Sequence, residues 1–255
     1  MMLKKTISIV TMFTIVCGIM TTVHAQDDSR NKWEYIMLTP DNSNLKVLGD
    51  NMRKHNQKYH SEGPYRAYVF TVATGPNVGK IVWQMGPVSY TDLDSRPSDN
   101  GHDEDWRDNI MRYVKHQTDS EYWNTDANLS MLDEMDTNTV SHPILMIRFM
   151  NIEKGKAAQV SGILTQLHEA VKAIEGHSPL GVFDNEFRQG AKGRHIAVVR
   201  YLKSWSELDG PNNFKSAFIK VHGEDSWDAY LGALDDTFSD YWDEIIQYNP
   251  HMSGQ

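Results

Sequence analysis

The chain has 255 residues, a formal net charge of −9 at neutral pH and a single cysteine, Cys17. An acidic balance with no clustered basic surface argues against a nucleic-acid partner, and one cysteine excludes a disulfide framework or a cysteine metal site. The length suits one large domain or two small ones.

Lys4 and Lys5 precede an apolar run from Ile7 to Met20, followed by Val23-His24-Ala25. This is the layout of a cleaved export signal over residues 1–25, and the run is shorter than the ~20 apolar residues that span a bilayer. The mature chain is therefore expected to begin at Gln26, to lack cysteine, to be periplasmic or secreted, and to make no stable membrane insertion. Residues 26–32 are polar and read as a disordered N-terminus.

From Trp33 the chain takes on regular patterns. Trp33 to Leu38 reads as a strand, and Leu45, Leu48, Met52, His55 and Tyr59 fall at the spacings of three and four that make a helical stripe. The stripe stops near His60-Ser61-Glu62-Gly63-Pro64. Strands follow at Tyr65 to Val72 and Ile81 to Met85, with Gly75 to Lys80 as the turn between them; that turn is one residue short of a phosphate loop and leads into a strand, not a helix. Ser89-Tyr90-Thr91-Asp92-Leu93-Asp94 then has the Ser-x-x-acid signature of a capping box and marks a helix start. A polar loop, Ser95 to Asp105, fails the calcium-loop pattern. It leads into a helix carrying Trp106, Ile110, Tyr113 and Gln117, closed by Glu121-Tyr122-Trp123, and Leu129 to Leu132 is the candidate last strand.

The order then repeats. Ile144 to Met150 reads as a strand, and Val160, Leu164, Leu167, Val171 and Ile174 as a helical stripe ending at Gly176-His177-Ser178-Pro179. Gly181 to Phe187 and Arg194 to Tyr201 form a hairpin around Gln189 to Gly193. Ser204-Trp205-Ser206-Glu207-Leu208-Asp209 repeats the capping-box pattern of Ser89. A helix with Trp227, Leu231, Leu234 and Phe238 leads to Ser239-Asp240-Tyr241-Trp242, which matches Ser120 to Trp123, and Ile245 to Tyr248 is the last strand. The expected organisation is a first unit over 33–135, a linker over 136–141, a second unit over 142–248 and a tail over 249–255.

Two tandem βαββαβ units resemble the ferredoxin-like dimeric α+β barrel superfamily, the group of the antibiotic-biosynthesis monooxygenases, haem-degrading monooxygenases, chlorite dismutases and dye-decolourising peroxidases. The resemblance rests on element order. It implies an α+β fold in which the units' sheets close into an intramolecular pseudo-dimeric barrel with helices outside, and oxygenase-like chemistry if the protein is catalytic.

Candidate site residues come from comparing the copies. His60 and His177 recur at equivalent helix ends, where they can satisfy terminal carbonyls or stand at matching pocket mouths. His195 and His222 have no counterpart and are the candidates for a general base or an axial haem ligand. Trp83 alternates with Ile81 and Met85 on one strand face, and the matched run of the second copy offers Ala197, Val199 and Tyr201 without a tryptophan, so Trp83 is expected to close one half of a ligand cavity while Ala197 leaves room in the other, the working half. His55, on an apolar stripe, reads as a hydrogen-bonded core residue. The spacing points to no metal ligands, no nucleophile elbow and no dinucleotide-binding turn, and the residues themselves call for no cofactor. Three readings remain: an exported, monooxygenase-like protein acting on a small apolar or aromatic ligand, a non-catalytic extracellular component binding a carbohydrate or protein, and a haem protein.

Overall fold

The computed structural model describes residues 30–96, 98, 101–132, 135, 140–187 and 194–255. The expected signal segment, most of the linker and the Gln189 to Gly193 turn lie outside them. Eight strands form one closed antiparallel barrel: β1 (Lys32–Pro40), β2 (Ala67–Thr74), β3 (Ile81–Val88), β4 (Val114–Thr125), β5 (Ile144–Ile152), β6 (Leu180–Asn185), β7 (Ile196–Leu202) and β8 (Phe238–Tyr248). Around the barrel they run β1-β3-β2-β8-β5-β7-β6-β4, closed by the β4 to β1 pair. The same order, β4-β1-β3-β2 and then β8-β5-β7-β6, therefore recurs in the two halves, which meet where β2 pairs β8 and β4 pairs β6.

Helices cover the outside. In the first half these are α1 (Leu45–Tyr59), α2 (Tyr90–Asp94) and α3 (His102–Asp105), the last continuing through a π turn and a 3-10 turn to Tyr113. The second half has α4 (Ala157–Lys172), α5 (Phe214–His222) and α6 (Ser226–Thr237), and the chain ends in α7 (Pro250–Ser253). No helix among the described residues is long and apolar enough to cross a membrane.

Period-two alternation sorts each strand's side chains. Tyr35, Met37, Phe70, Val72, Val82, Leu145, Ile147, Phe149, Ala197, Val199 and Ile246 fill the barrel, while their neighbours Ile36, Leu38, Val69, Ile81 and Trp83 face α1. The second half's outer layer packs Val160, Ile163 and Leu164 of α4 with Phe218 and Tyr230.

Three expectations are corrected. The helix expected to run from Trp106 through Gln117 to Trp123 ends at Tyr113, and Val114 to Thr125 is strand β4, which pairs with β1 along its length. A strand is favoured here by Val114, Thr118 and Thr125, but its neighbours decide it: barrel closure needs a partner for the free edge of β1. Leu129 to Leu132 contributes one isolated bridge, Met131 to Leu180. In the same way β8 begins at Phe238, which the helical pattern had claimed. The tail is not loose: Val69 N–H donates to Ser253 Oγ at 2.8 Å, and the Asn56 amide donates to Met252 O at 2.8 Å.

The barrel interior also holds charge. Arg194 pairs with Glu121, both almost wholly buried, and its guanidinium lies 4.5 Å from the Phe149 ring centroid and 4.8 Å from that of Tyr35. The indole N–H of Trp123 donates to Glu121 at 3.0 Å, and that of its sequence counterpart Trp242 donates to Glu244 at 3.1 Å. Burial pushes the Tyr35 phenol up to about 12, against the pull of Arg194. Removing one member of a buried pair leaves the other uncompensated. Glu121→Leu should thus destabilise the fold by roughly 3–5 kcal/mol in urea unfolding, and Glu121→Leu with Arg194→Met should recover most of that loss.

The two capping boxes differ in detail. At α2, Asp92 N–H donates to Ser89 Oγ at 3.0 Å and Ser89 N–H to the Asp92 carboxylate at 2.8 Å. Ser204 opens only a 3-10 turn, its N–H 3.2 Å from Glu207, while its hydroxyl lies 2.8 Å from Ser206 Oγ. Ser89→Ala is expected to cost about 1 kcal/mol of unfolding free energy, the usual worth of an N-cap. Ser204→Ala should cost clearly less in the same measurement.

Candidate functional site

Between the sheet of the first half and its helices lies a cavity of about 470 Å³, lined by Ile36, Trp83, Leu93 and Trp106 with His60, His102, Asp103 and Arg96 among its polar groups. The last turn of α1 brings His55 inward on the same stripe as Leu48 and Met52. His60 is the C-cap of that helix, its backbone N–H donating to Asn56 O at 2.9 Å. Gly101, at φ 82°, supplies the left-handed residue that turns the chain into α3 and brings His102 against the other two rings.

The three imidazoles are buried, and one ligating nitrogen from each lies within 4.8 Å of the others. Their outer nitrogens are each engaged. His60 Nδ1 donates to Tyr65 O at 2.9 Å, His102 Nδ1 to the Asp103 carboxylate at 2.8 Å, and His55 Nδ1 to the Asp105 carboxylate at 2.7 Å. A carbonyl or carboxylate can only accept, so each partner takes the proton on Nδ1 and leaves Nε2 as the nitrogen turned away from it. His60 Nε2 and His102 Nε2 stand 3.1 Å apart, and buried His55 Nε2 has no hydrogen-bond partner. Burial, outweighing the carbonyl of Tyr65, holds His60 down at about 3 and so neutral; burial likewise lowers His55, against its bond to Asp105. Burial alone would raise Asp105, but hydrogen bonds from Asn109 and His55 bring it below its ordinary value.

A second layer holds the wall. Trp83 packs 5.0 Å from the His60 ring and 5.6 Å from Trp106. Its indole N–H donates to Asn56 Oδ1 at 3.0 Å, and the Asn56 amide is held in turn by Met252 O of the tail. On the cavity's opposite side Arg96 pairs with buried Glu34 at 2.9 Å.

The structure divides the residues singled out from the sequence. Trp83 and His60 line this cavity. Ala197 and Val199 face the barrel interior, on the opposite side of their sheet from the face that Trp83 occupies on its own. Trp83 and Ala197 therefore do not face each other across one cavity, because a one-residue difference in register exchanges the two faces of a strand. Tyr201 borders a second cavity, about 540 Å³ at one end of the barrel, together with Trp33, Tyr68 and Phe183. His195 Nδ1 accepts the Ile152 N–H at 2.8 Å, His222 Nε2 donates to Gln166 O at 3.1 Å, and His177 Nδ1 donates to Ser178 O at 3.1 Å; none of the three lines either cavity.

His55, His102 and Trp106 belong to the site although the sequence reading placed His55 in the core, His102 in a polar loop and Trp106 only on a helix stripe. A signal was present. Counting back from His177 as His55 stands from His60 gives Lys172, so the second half cannot repeat the cluster.

No family model matches the chain, and no curated protein does. Solved structures do. A chlorite dismutase variant from Candidatus Nitrospira defluvii, in complex with cyanide, aligns at TM-score 0.52 and 6% identity over 89% of this chain and 95% of its own. A monooxygenase candidate from Fusobacterium nucleatum aligns at TM-score 0.52 and 9% identity over 86% and 92%. An anthrone oxidase-like protein aligns at TM-score 0.50 and 11% identity over the same shares.

Asn56 joins the tail, α1 and Trp83, and its replacement by Leu would strand both the indole N–H and Met252 O. We expect Asn56→Leu to destabilise the protein by about 2 kcal/mol and to shift the tryptophan fluorescence, both read in one urea titration. With closed barrel, outer helices and these neighbours together, the chain has the fold of the dimeric α+β barrel proteins.

Proposed function

We propose that the protein binds a small, largely apolar or aromatic molecule in the first-half cavity between sheet and helices, and acts on it in an oxygenase-like manner. One observation carries the reading: a cavity of about 470 Å³ with two tryptophan faces, Trp83 and Trp106, and a few convergent polar groups. That size and lining are those of small-molecule sites. The alignment with monooxygenase-type and anthrone oxidase-like proteins supports the chemistry at the level of fold alone. His60, neutral and buried beside Trp83, presents a ring nitrogen to the cavity out of water.

In this reading residues 1–25 act as an export signal, and the two halves arose by tandem duplication of a βαββαβ unit, as their common strand order and the recurrence of Ser89 in Ser204 suggest. The haem alternative fits this cavity less well. Haem iron takes one axial imidazole on a face, whereas His60 and His102 present their nitrogens side by side at 3.1 Å.

Anthrone, a flat aromatic ketone, is a suitable probe. It should quench tryptophan fluorescence of the purified protein with a saturable curve. Leu93→Trp, which fills the cavity, should weaken that binding at least tenfold, and His222→Ala should leave it unchanged. Equal binding by wild type and Leu93→Trp would place the ligand elsewhere.

A further inference from the structure

We propose that His55, His60 and His102 are the ligands of a divalent transition-metal ion whose open coordination side faces the 470 Å³ cavity. The inference stands on geometry, and only its last step, that a cavity ligand reaches the ion, rests on the small-molecule reading above.

Spacing is the first argument. Zinc–nitrogen bonds of ~2.0–2.1 Å in tetrahedral geometry put ligand nitrogens roughly 3.3 Å apart. His60 Nε2 and His102 Nε2 are 3.1 Å apart, and the three ligating atoms lie within 4.8 Å of one another. A cation at their centre would draw the more distant nitrogen in from at most 4.8 Å.

Orientation is the second argument. In metal sites an imidazole usually donates its far N–H to a carboxylate or carbonyl, which fixes the tautomer and aims the lone pair. All three histidines do this, to Asp105, Tyr65 O and Asp103. Ordinary core packing accounts for one hydrogen-bonded histidine. It does not account for three buried rings whose nitrogens gather within 4.8 Å, while His55 Nε2 has no protein partner. A single proton between His60 and His102 would satisfy that pair and still leave His55 orphaned.

The ligand set also selects the ion. Three neutral imidazoles suit zinc, cobalt, nickel, copper or iron, whereas calcium and magnesium take oxygen ligands. The Asp103 and Asp105 carboxylates stand behind the rings, where they offset the ion's charge through them. His60 and His102 line the cavity as well as meeting each other, while His55 lies deeper. The fourth position is thereby left on the cavity side, as in sites of three histidines that hold a water or a substrate oxygen. A molecule between Trp83 and Trp106 would reach the ion with an oxygen donor.

The test uses the purified full chain, stripped with a chelator and titrated with Zn²⁺ by calorimetry and with Co²⁺ by visible absorption. One ion per chain, an intense Co²⁺ band displaced by Zn²⁺ and a raised Tm are expected in the wild type. His102→Gln should weaken Zn²⁺ binding at least a hundredfold, Asp103→Asn should weaken it about tenfold or more, and His177→Gln should bind as wild type. Because the wild-type Co²⁺ spectrum needs no variant, a misfolded substitution cannot mask the answer. No bound ion, a weak spectrum like that of aqueous Co²⁺, or full affinity in a folded His102→Gln would overturn the proposal. Zn²⁺ binding without anthrone binding would retain the metal centre and remove the small-molecule reading; anthrone binding without Zn²⁺ would do the reverse.

Discussion

Closure of the barrel is the constraint on which the rest of this protein depends. Eight strands with no free edge leave each strand two faces and no choice between them: one set of alternate side chains must fill the interior, and the other must be covered by helices. That division puts Val82 inside and Trp83 outside on adjacent positions of β3. It also commits β4, the long strand beside β1, and the first residue of β8, the long strand beside β5, to extended conformation where the sequence reads as helix.

The two halves share a strand order and differ in what lies over the sheet. Two tryptophans make the difference plain. Trp106 packs 5.3 Å from His55 and 5.6 Å from Trp83, beside an open cavity, whereas Trp227 packs 5.5 Å from Phe218 and 5.9 Å from Phe214. In the second half α5 brings an aromatic cluster over the sheet. Aromatic packing thus covers the sheet in one half, and a polar pocket opens over it in the other.

Support for the pocket comes from far along the chain. The tail helix α7 follows β8, the last strand of the second half, yet docks on α1 and holds Asn56, which holds Trp83. Inside the barrel the Arg194 and Glu121 pair joins the segment before β7 to β4 across the boundary between halves. The cavity's walls therefore depend on contacts from both halves, although the three histidines all come from one.

How much of this was legible beforehand follows from the range of the interactions. The sequence alone determined the strand-helix-hairpin rhythm, both capping boxes and the recurrence that suggested a barrel, because periodicity, turn chemistry and caps act over a few residues. Histidines that one half has and the other lacks were legible too, but the sequence pattern set the open half of the cavity beside Ala197, whereas the cavity of about 470 Å³ lies beside Trp83. Only the tertiary structure decided where Trp106 to Trp123 changes from helix to strand, because that depends on which edge of β1 needs a partner. Likewise it alone decided which face of β3 meets the helices, since a shift of one residue exchanges the faces. The meeting of His55, His60 and His102 was beyond local reading for the same reason: two lie at the end of α1 and one beyond a distant loop, and nothing but the packing of α3 against α1 brings their nitrogens to one point.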